Sequence, residues 1–286
     1  MITLDSATEQ KSFMIPQEEH ADLAAQFASH WGNDTFARLA PYDTMVFAAV
    51  YHDSQYREAE ADLPIDLEMG RPHGHRTTPS SAKKREEALR NNIDWLGRRD
   101  PYAALMVSMH HSGLAQNRYG VIKSWQNTLG NSNPKRPMSP EVEAMIRGME
   151  ASQRARIEEF AENDPSVKDR VQTNYRLFQV FDLLSLYFCS DGHTEGGMKE
   201  MTIGPIPRSY KAGDETDLHL IPLGNGVIRM DPYPFDRNPL KISVFGRTVR
   251  RLAGRSEAEC KAEFYNAPRE SLTWTLTKEV PCRWQS

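Results

Sequence analysis

The chain has 286 residues, is 39% hydrophobic, and carries 39 acidic against 35 basic residues, for a net charge of −4. This composition is typical of a globular protein with a sizeable core and disfavours a nucleic-acid-binding protein, which usually has a basic excess. The three cysteines are too far apart for a disulfide framework, and no apolar run approaches the roughly 18 residues of a membrane-spanning helix, so we expect a cytoplasmic protein with no membrane or nucleic-acid partner.

The first two thirds of the chain have the hydrophobic periodicity of helices. Apolar residues recur at helical spacing over residues 16–31, which predicts a first helix. Residues 42–51 are apolar nearly all round, which predicts a second, buried helix. Residues 54–81 are rich in proline, glycine and histidine and predict a long loop. Four more helices are predicted, over residues 82–96, 101–110 (with Asp100 as the cap), 140–162 and 165–188.

The pattern changes after Cys189. Apolar and polar residues alternate in short stretches separated by glycine, proline and asparagine, which is typical of strands. These stretches are residues 217–221, 226–230, 240–245 and 271–276. The sequence therefore predicts a mainly α, in effect all-alpha, protein: a helical bundle over residues 1–199 and a small β-rich region, residues 200–286, packed on it.

Four side chains in the helical part have the chemistry of metal ligands. His20 lies in the first predicted helix, the pair His52-Asp53 closes the second, and Asp182 lies in an otherwise apolar stretch of the last. A carboxylate in such a stretch is costly to bury unless it is paired or bound to a cation. Imidazole and carboxylate ligands together suit iron, manganese, zinc or nickel. We therefore expect a divalent transition metal at these four residues, with His110 or its neighbour reaching the same pocket.

The order of these residues resembles that of the HD superfamily of metal-dependent enzymes. In that superfamily a first His, a His-Asp pair and a late Asp bind one metal, which here implies His20, His52, Asp53 and Asp182. Further motifs resemble a narrower bacterial family described only as a domain of unknown function, over most of the chain. These motifs are IPQEEHA at 15–21, AAVYHD at 48–53, DPYA at 100–103, SMH at 108–110 and DPYPF at 231–235. The resemblance implies an HD-like helical core.

Two departures from the HD pattern shape the expected site. In many HD phosphohydrolases the His-Asp pair is followed by a basic residue that holds phosphate, whereas here only Arg57 is available for this role. Dinuclear members have two further histidines before the late Asp. His110 matches one of them, and the other has no histidine counterpart on its helix, where Glu86, or His73 and His75 from the loop, would have to substitute. One metal is therefore expected rather than two.

Three functions are compatible with this sequence. The first is a metal-dependent hydrolase that acts through a metal-activated water on a small molecule, such as a phosphoester or another anion. In it, catalysis involves His110, His111 and Arg57, the metal ligands include His110, and Arg118 or Lys123 helps to hold an anionic group. The second is a non-haem, mono- or di-iron oxygenase of a small organic substrate, with aromatic pocket walls at Tyr51, Tyr56, Trp95 and Tyr102. The third is a non-catalytic protein whose C-terminal strands bind a partner.

Overall fold

The computed structural model describes residues 1–6, 8–75, 77–116, 139–194 and 197–279. Six of its eight described helices lie where the sequence predicts them and differ by a few residues at their ends. The other two, Arg57–Ala61 in the predicted loop and Glu257–Asn266 in the predicted β-rich region, were not predicted. The described helices are α1 (Gln17–His30), α2 (Tyr42–Tyr51), α3 (Arg57–Ala61), α4 (Ala82–Gly97), α5 (Pro101–Ala115), α6 (Pro140–Asn163), α7 (Val167–Leu186) and α8 (Glu257–Asn266). Two single turns, a 3-10 turn at Ser54–Tyr56 and a π-helical turn at Tyr187–Asp191, follow α2 and α7.

Seven strands form one sheet with the order β1-β2-β10-β11-β9-β8-β7. All neighbours are antiparallel except β11 and β9, which are parallel. The sheet strands are β1 (Ile2–Asp5), β2 (Lys11–Ile15), β7 (Met201–Pro207), β8 (Glu215–Gly224), β9 (Val227–Asp231), β10 (Leu240–Arg250) and β11 (Arg269–Thr277). Two short hairpins lie apart from the sheet: β3 (Ile65–Asp66) with β4 (Arg71–Pro72), and β5 (His193–Thr194) with β6 (Gly197–Met198).

The prediction of a mainly α, all-alpha HD-like bundle with a small β-rich region is wrong. Of the described residues, about 48% are helical and 24% lie in strands, and the large curled sheet makes this a mixed α/β fold. The four predicted C-terminal strands are present, within β8 to β11. The first two strands of the chain were missed because they have only four and five residues and precede the helices. Strand β2 pairs with β10 and so brings the N-terminus into the sheet.

The helices pack over the sheet and around one another. Helix α1 contacts β10, α2 and α7, while α2 and α7 both contact α5. Apolar side chains of these elements form one continuous hydrophobic core with the inner side chains of the sheet. None of the described helices combines the length and apolar character needed to cross a membrane. The sheet contains strands from both predicted parts, β1 and β2 from residues 1–199 and β7 to β11 from residues 200–286. The division into two parts at residue 199 stays a prediction.

The start of α5 shows how local sequence places a functional helix. Asp100 Oδ1 accepts hydrogen bonds from the backbone N–H groups of Tyr102 and Ala103, at 2.9 and 3.0 Å. Pro101 occupies the first helical position, where its missing N–H costs nothing. The other carboxylate oxygen accepts a hydrogen bond of 2.6 Å from Thr44 Oγ1 on α2. Asp100 is therefore the predicted cap, and it also ties α5 to α2.

Candidate metal centre

Four helices bring five of the predicted ligands together in the interior. His20 lies on α1, His52 and Asp53 directly follow α2, His110 lies on α5 and Asp182 on α7. Their exposed fractions are only 0–6%. These residues are separated by up to 162 positions in sequence, so the packing of α1, α2, α5 and α7 creates the cluster.

The ligand atoms of two histidines and two aspartates face one another. His20 Nε2 lies 3.0 Å from Asp182 Oδ1 and 3.8 Å from Asp53 Oδ2. His52 Nε2 lies 3.5 Å from Asp182 Oδ1 and 3.7 Å from Asp53 Oδ2. Four ligands around one ion have such separations, because metal–ligand bonds of about 2.0–2.2 Å put neighbouring ligand atoms roughly 3–3.5 Å apart.

The hydrogen bonds of His52 direct its Nε2 lone pair into this cluster. Nδ1 of His52 lies 2.8 Å from the carbonyl oxygen of Ala49. A carbonyl can only accept, so Nδ1 carries the ring proton and Nε2 of the neutral ring is a bare lone pair. That Nε2 is buried and has no hydrogen-bond partner. An unpartnered buried nitrogen beside two carboxylates is the arrangement a cation satisfies.

The two carboxylates keep their negative charge despite burial. Burial by itself would raise the pKa of Asp182, but the contacts with His20 and His52 hold it well below its usual range. Burial would also raise the pKa of Asp53, but the charges of His52 and His20 outweigh this effect and lower it. Within the described ranges, no lysine or arginine forms an ion pair with either carboxylate. The cluster is thus a buried site of negative charge that calls for a cation.

Two glutamines hold the Asp53 side chain. Gln17 Nε2 donates to Asp53 Oδ2 at 3.3 Å, and Gln55 Nε2 donates to Asp53 Oδ1 at 3.1 Å. Asn92 Nδ2 in turn donates to Gln55 Oε1 at 3.1 Å. The orientation of this carboxylate is therefore fixed from two sides by amide groups.

The two neighbouring histidines on α5 occupy different positions. The ring of His110 packs edge-on against His52, with 5.1 Å between ring centroids, and one of its nitrogens belongs to a second candidate ligand group with His52 and Asp53. His111 Nε2 instead donates to the carbonyl oxygen of His52 at 2.9 Å. The two candidate ligand groups, His20-His52-Asp182 and His52-Asp53-His110, share His52. Nδ1 of His52 is already bonded to the Ala49 carbonyl, so only its Nε2 can bind an ion. The two groups therefore describe one centre with five available ligands.

Several other predicted site residues lie elsewhere. The structure does not bring Arg57 into the cluster: its half-exposed guanidinium pairs with Glu18 and lies 5.7 Å from the Tyr51 ring centroid. His73 lies beside β4, 3.9 Å from Asp66. Arg118 and Lys123 fall outside the described residues.

A groove of about 1060 Å³ runs between α4 and α6 along α5. Ser108 and Gln153 line it. His110 is two residues beyond Ser108 and points about 200° away from it around the helix axis. The groove therefore lies on the opposite side of α5 from the cluster.

Gln17, Gln55 and Ser185 were missed as site residues. Each has a local signal: Gln17 lies three residues before His20, Gln55 two after Asp53, and Ser185 three after Asp182. Residues three apart on a helix share a face, so the predicted ligands place Gln17 and Ser185 beside them. Their residue types alone indicate no metal chemistry.

The fold and the cluster together define a mixed α/β protein with a buried candidate metal centre. The chain belongs to the family described as a protein of unknown function, DUF3891, whose model matches residues 1–251. This match confirms the narrower resemblance to a family of unknown function. Neither a curated protein nor a solved structure matches the chain.

Proposed function

We propose that the protein is a metal-dependent hydrolase of a small-molecule substrate, with one divalent ion held by His20, His52, Asp53 and Asp182. The observation that carries this proposal is the buried convergence of two imidazole nitrogens on two charged carboxylates. Among the described residues no arginine or lysine pairs with these carboxylates, so without a metal a protonated His52 offsets only one of the two negative charges. A cation therefore has both a place and an electrostatic reason to bind.

The chemistry of the ligands favours a transition metal over calcium or magnesium. Mixed imidazole and carboxylate ligands suit iron, manganese, zinc or nickel, whereas calcium and magnesium prefer oxygen ligands alone. The order His20, His52-Asp53, Asp182, each on or beside a helix, supports a relationship to the HD superfamily as part of this proposal.

The residues around the ligands suit hydrolysis. A divalent ion bound here supplies Lewis-acid chemistry and lowers the pKa of a water molecule toward about 7. Burial lowers the pKa of His110 to about 3, so its ring is neutral near pH 7 and is available as a fifth ligand. Gln55, Tyr56 and His111 are half-buried, whereas the ligands are buried. A small substrate would approach the cluster past these half-buried neighbours, at Ser54–Tyr56.

Metal content tests the proposal directly. The protein is purified without a histidine tag, and its metals are measured by mass spectrometry alongside two variants. His52→Ala removes a ligand, whereas His219→Ala removes an exposed histidine on β8 as a matched control. We expect about one zinc, manganese or nickel per chain in the wild type and the control, and little in His52→Ala. A wild type without metal, or His52→Ala with unchanged content, would overturn the proposal.

Activity separates the proposed hydrolase from the other two functions. Metal-stripped protein is reloaded with zinc, manganese or nickel and assayed on chromogenic phosphomonoesters, phosphodiesters and carboxylic esters. Hydrolysis that requires the metal and disappears in His52→Ala supports the proposal. Bound iron with oxygen uptake and an oxygen-dependent optical change would replace it with the oxygenase. A bound metal without either activity would replace it with a non-catalytic binding protein.

A further inference from the structure

Ser185, one turn beyond Asp182 on α7, contacts two of the candidate ligands at once. Its Oγ lies 2.7 Å from the backbone carbonyl oxygen of Asp182 and 2.9 Å from Nδ1 of His20. The serine is fully buried, so solvent does not compete for either contact. The hydroxyl thus bridges α7 and α1 beside the cluster.

The direction of both hydrogen bonds follows from the number of available protons. The Asp182 carbonyl can only accept, so the single hydroxyl proton of Ser185 is directed to it. With its proton placed there, the same oxygen accepts a hydrogen bond from Nδ1–H of His20, in the tautomer that has its proton on Nδ1. In that tautomer Nε2 is a lone pair 3.0 Å from Asp182 Oδ1, and a cation bound by both atoms would offset the repulsion between them. This is the tautomer that a metal requires.

We propose that Ser185 is a positioning residue that fixes the tautomer and ring orientation of His20 for metal binding; this inference rests on the proposed function. Without the hydroxyl, Nδ1 of His20 loses its acceptor. The ring proton is then better placed on Nε2, where it donates to Asp182 Oδ1. That tautomer presents no lone pair to an ion. The ion must therefore compete with a proton that Ser185 otherwise keeps away.

The test compares zinc affinity in Ser185→Ala and a matched control. Ser112 on α5 is equally buried and donates to the carbonyl oxygen three residues before it, Met109, at 3.2 Å. Its other contact is Gln153, not a ligand. Zinc dissociation constants are measured by competition with a chromophoric chelator. We expect Ser185→Ala to bind zinc about 10- to 100-fold more weakly than the wild type, as is usual for partners of ligand histidines, and Ser112→Ala to bind like the wild type.

A spectroscopic readout separates positioning from general loss of packing. Nitrogen-15 NMR of the zinc-loaded protein, with His20→Ala for assignment, reports which His20 nitrogen carries the proton. We expect a slowly exchanging Nδ1–H in the wild type and in Ser112→Ala, and faster exchange of the same proton in Ser185→Ala, where it has no acceptor. If Ser185→Ala fails to fold, Ser185→Cys keeps the size and replaces the hydroxyl with a poor acceptor, and it should weaken zinc binding in the same direction.

The outcomes distinguish this inference from the proposed function. Equal zinc affinity in the wild type and in the Ser185 variant that folds overturns the positioning role, while loss of binding in His52→Ala leaves the proposed metal centre standing. Equal weakening in Ser185→Ala and Ser112→Ala also overturns the role, because any buried serine would then have the same effect. Absence of His52-dependent zinc binding in the wild type overturns both.

Discussion

Metal binding at pH 7.5 should release about one proton per ion from His52. Burial lowers the pKa of His52, but the charges of Asp53 and Asp182 outweigh burial and raise it to about 9. Because this pKa lies about 1.5 units above the working pH, only about one ring in thirty is neutral without metal. A metal ion binds the neutral ring, so it must displace the proton that the carboxylates hold there.

Calorimetric titration measures this proton. Zinc is titrated into metal-free protein in buffers of different ionisation enthalpy, and the dependence of the heat on the buffer gives the number of protons released. Release from His52 should be complete near pH 7.5 and should decline by half near pH 9, because at higher pH the ring has already lost its proton. A water molecule on the ion would show the opposite trend, because its proton is released as the pH rises through about 7.

The His219→Ala variant should reproduce the wild-type profile, since this exposed histidine lies on β8, away from the cluster. Release that does not decline between pH 8 and 9.5 would refute the reasoning. It would show that His52 is neutral in the metal-free protein and that the two carboxylates do not act on it together.

Three further predictions concern stability and the outer contacts. Because the folded-state pKa of His52 is raised from 6.5 to about 9, its stabilising contribution is complete below pH 6.5 and is lost as the pH rises through 9. The free energy of unfolding of the metal-free protein, measured by urea denaturation, should therefore fall by up to about 3 kcal/mol over this window. An unchanged free energy of unfolding would contradict this prediction. Gln55→Ala, which removes a hydrogen bond to Asp53, should weaken zinc binding about tenfold in chelator competition, unlike an exposed-glutamine control. Arg57→Ala breaks an exposed pair with Glu18; it should change the free energy of unfolding by less than about 1 kcal/mol and leave zinc affinity unchanged, and a large loss of affinity would place Arg57 in the site.

Six of the described helices could be predicted because each has an apolar face or a marked end, whereas α3 and α8 were not predicted. The residues 42–51 match α2, and Asp100 is the cap of α5 as expected. Fold class could not be predicted, since it depended on two short strands whose partner lies more than 200 residues away in sequence. Lys11 pairs with Arg250 at the end of β10, and nothing local in either segment indicates this register.

The ligands could be proposed from sequence because buried histidine and aspartate are chemically conspicuous. His20 and Asp182 both lie within apolar helical stretches, where a polar side chain needs a partner. The residues that orient them are not conspicuous. Ser185 and Gln55 have side chains that are common on protein surfaces, and their importance follows only from which ligand each one contacts.

Proton and metal compete for a single position in this cluster. The carboxylates of Asp53 and Asp182 raise the pKa of His52 by their charge, and the same two groups are the proposed oxygen ligands. Nε2 of His52 has no hydrogen-bond partner. The carboxylate oxygens nearest to it, at 3.5 and 3.7 Å, are too far away for a good hydrogen bond. A proton there is held by the charge of the carboxylates without a short hydrogen bond, whereas an ion with bonds of about 2.0–2.2 Å contacts all of these atoms at once. The metal should therefore bind more tightly as the pH rises toward 9, and it should connect α1, α2 and α7 where the protein's own hydrogen bonds leave them incompletely joined.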